Sequence, residues 1–227
     1  LIESVNKILP GTYSEFCPKK NELVTKRYNE IKKEKSFPNL NNQLIEDKIK
    51  NIINKNLISD TKVGIFLSGG IDSSIATIIA KEKIDNIEAY TSYFHPNSKY
   101  SKFNQDFEYA KKLCDSLNIK LNKVKIDDTD KDQKNLLFSA IKSLDEPLSN
   151  LNFFNSFLQS KKAKEDNCKV ILTGDGADEI FGGYDRYKKC WLAKKFKNLS
   201  LFNSKIKKIN SIQGNQIPLY FYNLLSL

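Results

Sequence analysis

The chain reads as an α/β protein: a doubly wound, mostly parallel sheet flanked by helices, followed by a helical C-terminal region. Three observations predict this. Short apolar runs that suit buried strands alternate with longer stretches whose apolar residues recur at helical spacing. Two of those runs end in glycine-rich turns that open directly into helices. Both turns therefore fall at strand carboxyl ends, the edge at which open parallel sheets bind ligands.

The elements follow in order. Residues 1–16 read as a short helix, a Pro10-Gly11 turn and the start of a strand. Residues 17–40 are rich in Lys, Asn and Pro with few apolar positions, and predict a linker. Over 44–58, Leu44, Ile45, Ile49, Ile52, Ile53 and Leu57 recur at helical spacing. The first strand of the sheet is Val63-Gly64-Ile65-Phe66-Leu67, and the helix after its turn presents Ile75, Ala76, Ile78, Ile79 and Ala80. A second strand covers 87–94. A helix over 103–118 turns Phe107, Ala110, Leu113, Cys114 and Leu117 inward. A third strand spans 120–126, and helices follow over 131–144 and 153–166, separated by Asp145-Glu146-Pro147. The fourth strand, 169–173, meets the second glycine-rich turn; beyond Asp178 the chain is helical and basic.

Composition narrows the class. The 227 residues suffice for one large domain, or for a domain plus part of another. The absence of methionine predicts a piece of a longer protein, with Leu1 not its natural start. No run of about 18 apolar residues exists to span a membrane, and no signal-peptide pattern is visible. Cys17, Cys114, Cys168 and Cys190 lack C-x-x-C spacing and predict reduced thiols in a cytoplasmic protein. The net charge of +10 arises from lysines spread along the chain, so no dedicated nucleic-acid surface is expected.

The first turn, Ser68-Gly69-Gly70-Ile71-Asp72-Ser73-Ser74, has the chemistry of a phosphate socket. Its glycines permit a sharp turn and close backbone approach, and the helix start offers unpaired N–H groups and partial positive charge. No Gly-Lys-Ser/Thr follows, so it is not a Walker loop. Asp72 stands where that loop would be cationic. A carboxylate beside polyphosphate is reasonable if magnesium lies between them. The plain alternative is a helix capped after a strand with no ligand.

The second turn, Thr173-Gly174-Asp175-Gly176-Ala177-Asp178-Glu179-Ile180-Phe181-Gly182-Gly183-Tyr184, concentrates glycines and carboxylates. Asp175, Asp178 and Glu179 cannot all be buried without partners. Asp178 and Asp72, each just past a strand end, could share one magnesium ion through oxygen ligands. An acidic surface loop that caps a helix is the alternative, although Gly182-Gly183 interrupts the helix it would cap.

The first of these motifs resembles the pyrophosphate loop of the N-type ATP pyrophosphatases. The second resembles the asparagine synthetase signature Ser-Gly-Asp/Glu-Gly-x-Asp-Glu-x-Phe-Gly-Gly-Tyr, and Asp145-Glu146-Pro147 fits the same family pattern upstream. Residues 1–16 resemble the end of that family's N-terminal glutaminase domain. The resemblance implies an adenine nucleotide alpha hydrolase-like fold and a division into the tail of a glutaminase domain (1–16), a linker (17–40) and a synthetase domain (41–227) truncated at its C-terminus. It implies that Ser68, Gly69, Gly70, Ser73 and Ser74 hold the pyrophosphate of ATP, and that Leu67 and Ser92 frame the adenosine, Ser92 through its backbone. Thr173 and Gly174 would lie near the ribose and α-phosphate, Asp72 and Asp178 would bind Mg2+, and Asp175 would take the acidic catalytic position. Asp175 stands where many members carry Glu, Thr173 where they carry Ser, and Asn150 where they often carry a second Asp.

The implied reaction activates the aspartate side-chain carboxylate as β-aspartyl-AMP and transfers ammonia to it, giving asparagine, AMP and pyrophosphate. The ammonia would come from glutamine through a glutaminase domain whose nucleophilic Cys lies outside this chain. Two other readings stay open: a related amidotransferase acting on a cell-surface polysaccharide or peptide carboxylate, and a non-catalytic nucleotide-binding module. Oligomeric state is not legible in the sequence, and a homodimer is left open.

Overall fold

The computed structural model describes residues 3, 5–30, 41–127, 130–146, 148, 150 and 152–188. The expected helical C-terminal region, with Cys190, lies outside the described residues, as does Pro147 of the Asp-Glu-Pro motif.

The chain divides into two compact units, residues 1–47 and 48–227. The first is built on an antiparallel hairpin of β1 (Thr12–Cys17) and β2 (Glu22–Arg27), with Phe16 opposite Leu23 and Cys17 opposite Glu22. This corrects two expectations. Residues 5–9 are not helical; Pro10-Gly11 turns them directly into β1, and Thr12 is tied back by N–H and hydroxyl donation to the Leu9 carbonyl. Residues 22–27 are a strand, not linker. Their polar composition hid it because both strands are largely exposed, so no apolar alternation was required. Cross-strand pairs hold the register: Ser14 Oγ with Thr25 Oγ1 at 2.7 Å, and Lys26 Nζ donating to Glu15 at 3.2 Å while lying over the Tyr13 ring.

In the second unit, β3 (Val63–Phe66), β4 (Glu88–Phe94), β5 (Lys120–Ile126) and β6 (Val170–Leu172) form one parallel sheet in the order β5-β4-β3-β6. The helices are α1 (Asn42–Asn56), which begins at the end of the first unit, α2 (Ile71–Lys83), α3 (Gln105–Leu117), α4 (Lys131–Lys142), α5 (Asn152–Glu165) and α6 (Ala177–Phe181). Alternation along the strands supplies both faces. Ile65, Leu67 and Ala89 pack with Ala76 and Ala80 of α2 and Ala110 and Cys114 of α3. On the opposite face Tyr90 packs with Ala163 of α5, Cys168, Phe66 and Ile171, while Val124 and Ile126 meet Leu158, Phe154 and Phe157 of α5 and Leu136 of α4. Phe107, Ala110, Leu113, Cys114 and Leu117 are turned inward as their spacing predicts. Ile52 is not: it is 59% exposed, off the stripe that ends in buried Leu57.

At the amino ends of the strands, Glu88 receives Lys62 at 2.6 Å, Asn122 at 2.8 Å and Lys120 at 3.1 Å. Burial works against its charge, but these three donors outweigh it and hold the carboxyl at about 2. Among the described residues no helix is long and apolar enough to cross a membrane.

Candidate nucleotide site

The chain steps outward from β3 to β4 and β5, then returns to place β6 on the other side of β3. The sheet's topological switch point therefore lies between β3 and β6, and loops leaving those two strands diverge above a crevice. These are the two glycine-rich turns.

The first turn is set by Gly69 and the serines. Gly69 has φ +88°, and a side chain there would run into the Asp106 carbonyl at the start of α3. Only glycine lets the turn lie this close to α3. Ser68 Oγ and Ser73 Oγ share a hydrogen bond of 3.0 Å, Ser68 Oγ accepts from Gly70 N–H, and the Ser73 and Ser74 hydroxyls donate to the Gly70 carbonyl. The loop is thus fixed before any ligand arrives. At the head of the 13-residue α2, Gly70 offers no side-chain cap to the first N–H groups.

The second turn closes on the first. A Cβ on Gly174 would stand 2.9 Å from Ser73 N and 3.3 Å from Asp72 C, so the β6 turn rests directly on the first turn of α2. Thr173 Oγ1 accepts from Asp175 N–H at 3.4 Å. The Asp178 carboxylate lies against Gly183, whose N–H donates to the Asp178 carbonyl.

Between the turns is an open cleft of about 280 Å³. Ser68, Gly70, Asp72 and Ser73 line it from the first turn, and Thr173, Gly174, Asp175 and Asp178 from the second. Asp72 and Asp178, 106 positions apart in sequence, thus face one space; both are half-buried, and Asp175 is exposed. Four predicted residues are not on the wall. Leu67 is 1% exposed and packs in the core, its N–H donating to the Tyr90 carbonyl. Gly69 faces α3, and the Ser74 hydroxyl is engaged by Gly70. Ser92 connects to the cleft through Gln159, whose Nε2 donates to Ser92 Oγ at 3.2 Å.

Three lining residues escaped sequence reasoning: Phe66, Ser156 and Gln159. Ser156 and Gln159 stand three apart on α5, one helical face, but nothing in a sequence says which helix overhangs the switch point. The donor set tests the implied groups. The cleft lining contains carboxylates, hydroxyls and amide groups but no His or Cys, a set suited to a hard, oxygen-seeking ion such as magnesium. Among the described residues no three His, Cys, Asp or Glu side chains form a metal cage.

The fold and cleft define a doubly wound parallel α/β domain with an uncapped helix start at its switch point. The family model for asparagine synthase matches residues 44–220, and the chain belongs to that family. It is 33% identical over 156 residues to asparagine synthetase (glutamine-hydrolyzing) 1 of Bacillus subtilis, covering 68% of this chain and 23% of that protein. It is 27% identical over 183 residues to asparagine synthetase B (glutamine-hydrolyzing) of Escherichia coli, covering 74% of this chain and 31% of that protein. Among solved structures, NH3-dependent NAD synthetase of Campylobacter jejuni superposes with a TM-score of 0.42 at 18% identity, over 80% of this chain and 92% of that one.

Proposed function

We propose that the cleft binds magnesium ATP and that this domain activates a carboxylate for amide formation, with aspartate as the acid and ammonia as the amine. The observation that carries the reading is the seating of Gly174 on the start of α2, which puts an uncapped helix N-terminus and the carboxylates of both turns around one space. Family membership supports amide synthesis. The names of the two relatives support aspartate as substrate and glutamine as the ammonia source.

In this reading the N–H groups of Ile71 and Asp72 meet the pyrophosphate of ATP, as a helix start does, while the Gly70 N–H stays bonded to Ser68 Oγ. Ser68 and Ser73 line the same wall, while Ser74 acts one step back by holding the Gly70 carbonyl. Thr173 and Gly174 lie beside the α-phosphate, and the backbones of Leu67 and Ser92 frame the adenosine. Asp72 and Asp178 would hold magnesium, which supplies positive charge against the leaving pyrophosphate. The substrate carboxylate displaces pyrophosphate from the α-phosphorus, giving β-aspartyl-AMP, and ammonia then displaces AMP. Asp175, exposed in the cleft lining, would accept the amine's proton.

The proposed organisation follows the hairpin. Residues 1–27 would close an N-terminal glutaminase domain, because β2 pairs with β1 across the boundary drawn at residue 16. A linker then runs to about residue 40, and the synthetase domain occupies 41–227. The test is exchange of labelled pyrophosphate into ATP, with product analysis, in the presence of aspartate and of other carboxylic acids. Aspartate-dependent exchange with AMP as product is expected. ADP as the main nucleotide, or no exchange with any acid, refutes the reading.

A further inference from the structure

The walls of the cleft differ in chemistry. The glycine turns contribute hydroxyls, helix N–H groups and three carboxylates. The rest of the lining carries no charge: Phe66 of β3 with Ser156 and Gln159 of α5. Phe66 is packed against the buried cluster of Tyr90, Ala163 and Cys168. Gln159 is held across the sheet by its Nε2 bond to Ser92 Oγ near the carboxyl end of β4, 67 positions away in sequence. A primary amide carries two N–H donors and a carbonyl acceptor. The bond to Ser92 takes one donor, so one N–H and Oε1 remain on a side chain already held at its nitrogen.

From this geometry we infer that Gln159, positioned by Ser92, reads the edge of the nucleobase and selects adenine over guanine. The inference rests on the reading of the cleft as an ATP site and adds a specificity determinant to it. Adenine offers an exocyclic N–H donor beside a ring-nitrogen acceptor, which an amide meets with two hydrogen bonds. Guanine offers two acceptors on its corresponding edge, O6 and N7, so the amide carbonyl faces another oxygen. The uncharged part of the lining suits a base, and the charged part suits phosphate and metal. Ser92 acts as a positioning residue: it does not need to touch the base to fix the amide that does.

The experiment measures equilibrium binding of ATP, GTP and inorganic pyrophosphate, each with magnesium, to the intact protein and to its Q159L, Q159E and S92A variants. Wild type is expected to prefer ATP to GTP. Q159L should weaken ATP roughly tenfold to a hundredfold, the range for one bidentate amide–base pair, with GTP and pyrophosphate nearly unchanged. Q159E keeps the length and an acceptor for the Ser92 hydroxyl but loses the donor to the ring nitrogen, and should also lose preference for ATP. S92A should reduce the preference partially. Equal loss of ATP and GTP in Q159L would make Gln159 a structural anchor of α5 and overturn the inference. So would a wild type that binds both nucleotides alike, which leaves the ATP-site reading standing. A wild type that binds neither nucleotide overturns both.

Discussion

Replacing Gly174 with alanine tests the contact on which the cleft depends. The added methyl would stand 2.9 Å from Ser73 N, 3.2 Å from Ser73 Cα and 3.3 Å from Asp72 C. All three are backbone atoms of the first turn of α2, so no flexible side chain can move aside. Relief requires the β6 turn to back away from α2 by several tenths of an ångström or more. Overpacking of this kind costs about 1–3 kcal/mol. For a chain of this size each kcal/mol lowers Tm by about 2–4 °C, so Gly174→Ala should lose roughly 2–12 °C. The displacement also separates Asp178 and Asp175 from the α2 N-terminus, and ATP affinity should fall at least about tenfold, equal to about 1.4 kcal/mol. Gly70→Ala is the control for stability alone, since Gly70 lines the cleft. A methyl there meets only Ser68 Oγ at 3.4 Å, an ordinary contact, and Gly70 has φ −74°, which alanine adopts freely. Thermal unfolding and magnesium-ATP titration of both variants decide the matter. A Gly174→Ala protein with wild-type Tm and ATP affinity, or a Gly70→Ala protein with an equally lowered Tm, would refute direct contact between the two turns.

Asp175→Asn should leave ATP affinity nearly intact and lower the amide-forming rate by about 10²–10⁴, the usual span for a proton-transfer group; Asp175→Glu should be mild, and steady-state kinetics separates the two. Asp72→Asn and Asp178→Asn should each reduce turnover on the order of a hundredfold or more and raise the magnesium concentration needed for half-maximal rate; a double variant no worse than either single one would show that both act on one ion. Glu88 sits far below its ordinary 4.5, at about 2, so its stabilising effect is present above pH 4.5 and disappears as pH falls through about 2. Glu88→Gln should therefore cost about 1–2 kcal/mol at pH 7, less than the full shift converts to because Lys120 is exposed and screened, and the difference in denaturant midpoint from wild type should vanish towards pH 2.

Strands, helices and the two glycine-rich turns were legible because each is a local pattern. Apolar runs, helical periodicity and glycine beside hydroxyl or carboxylate lie within a few residues of one another, and β3 to β6 and α1 to α5 fall where those patterns put them. The hairpin strand Glu22–Arg27 was not legible, since an exposed strand needs no apolar face and its pairing partner is specified only by register. Nor does the sequence state the order β5-β4-β3-β6, although that order is what sets Asp72 beside Asp178. The tertiary structure also assigned the inner wall. Leu67, just before the motif, and Ser74, within it, face the core or the loop itself, whereas Gln159 belongs to no motif and reaches the cleft because α5 packs across β4 and β5. A motif fixes what its own backbone can do. Which distant side chains complete the site depends on sheet order and helix packing, and those are decided by burial summed over the whole domain.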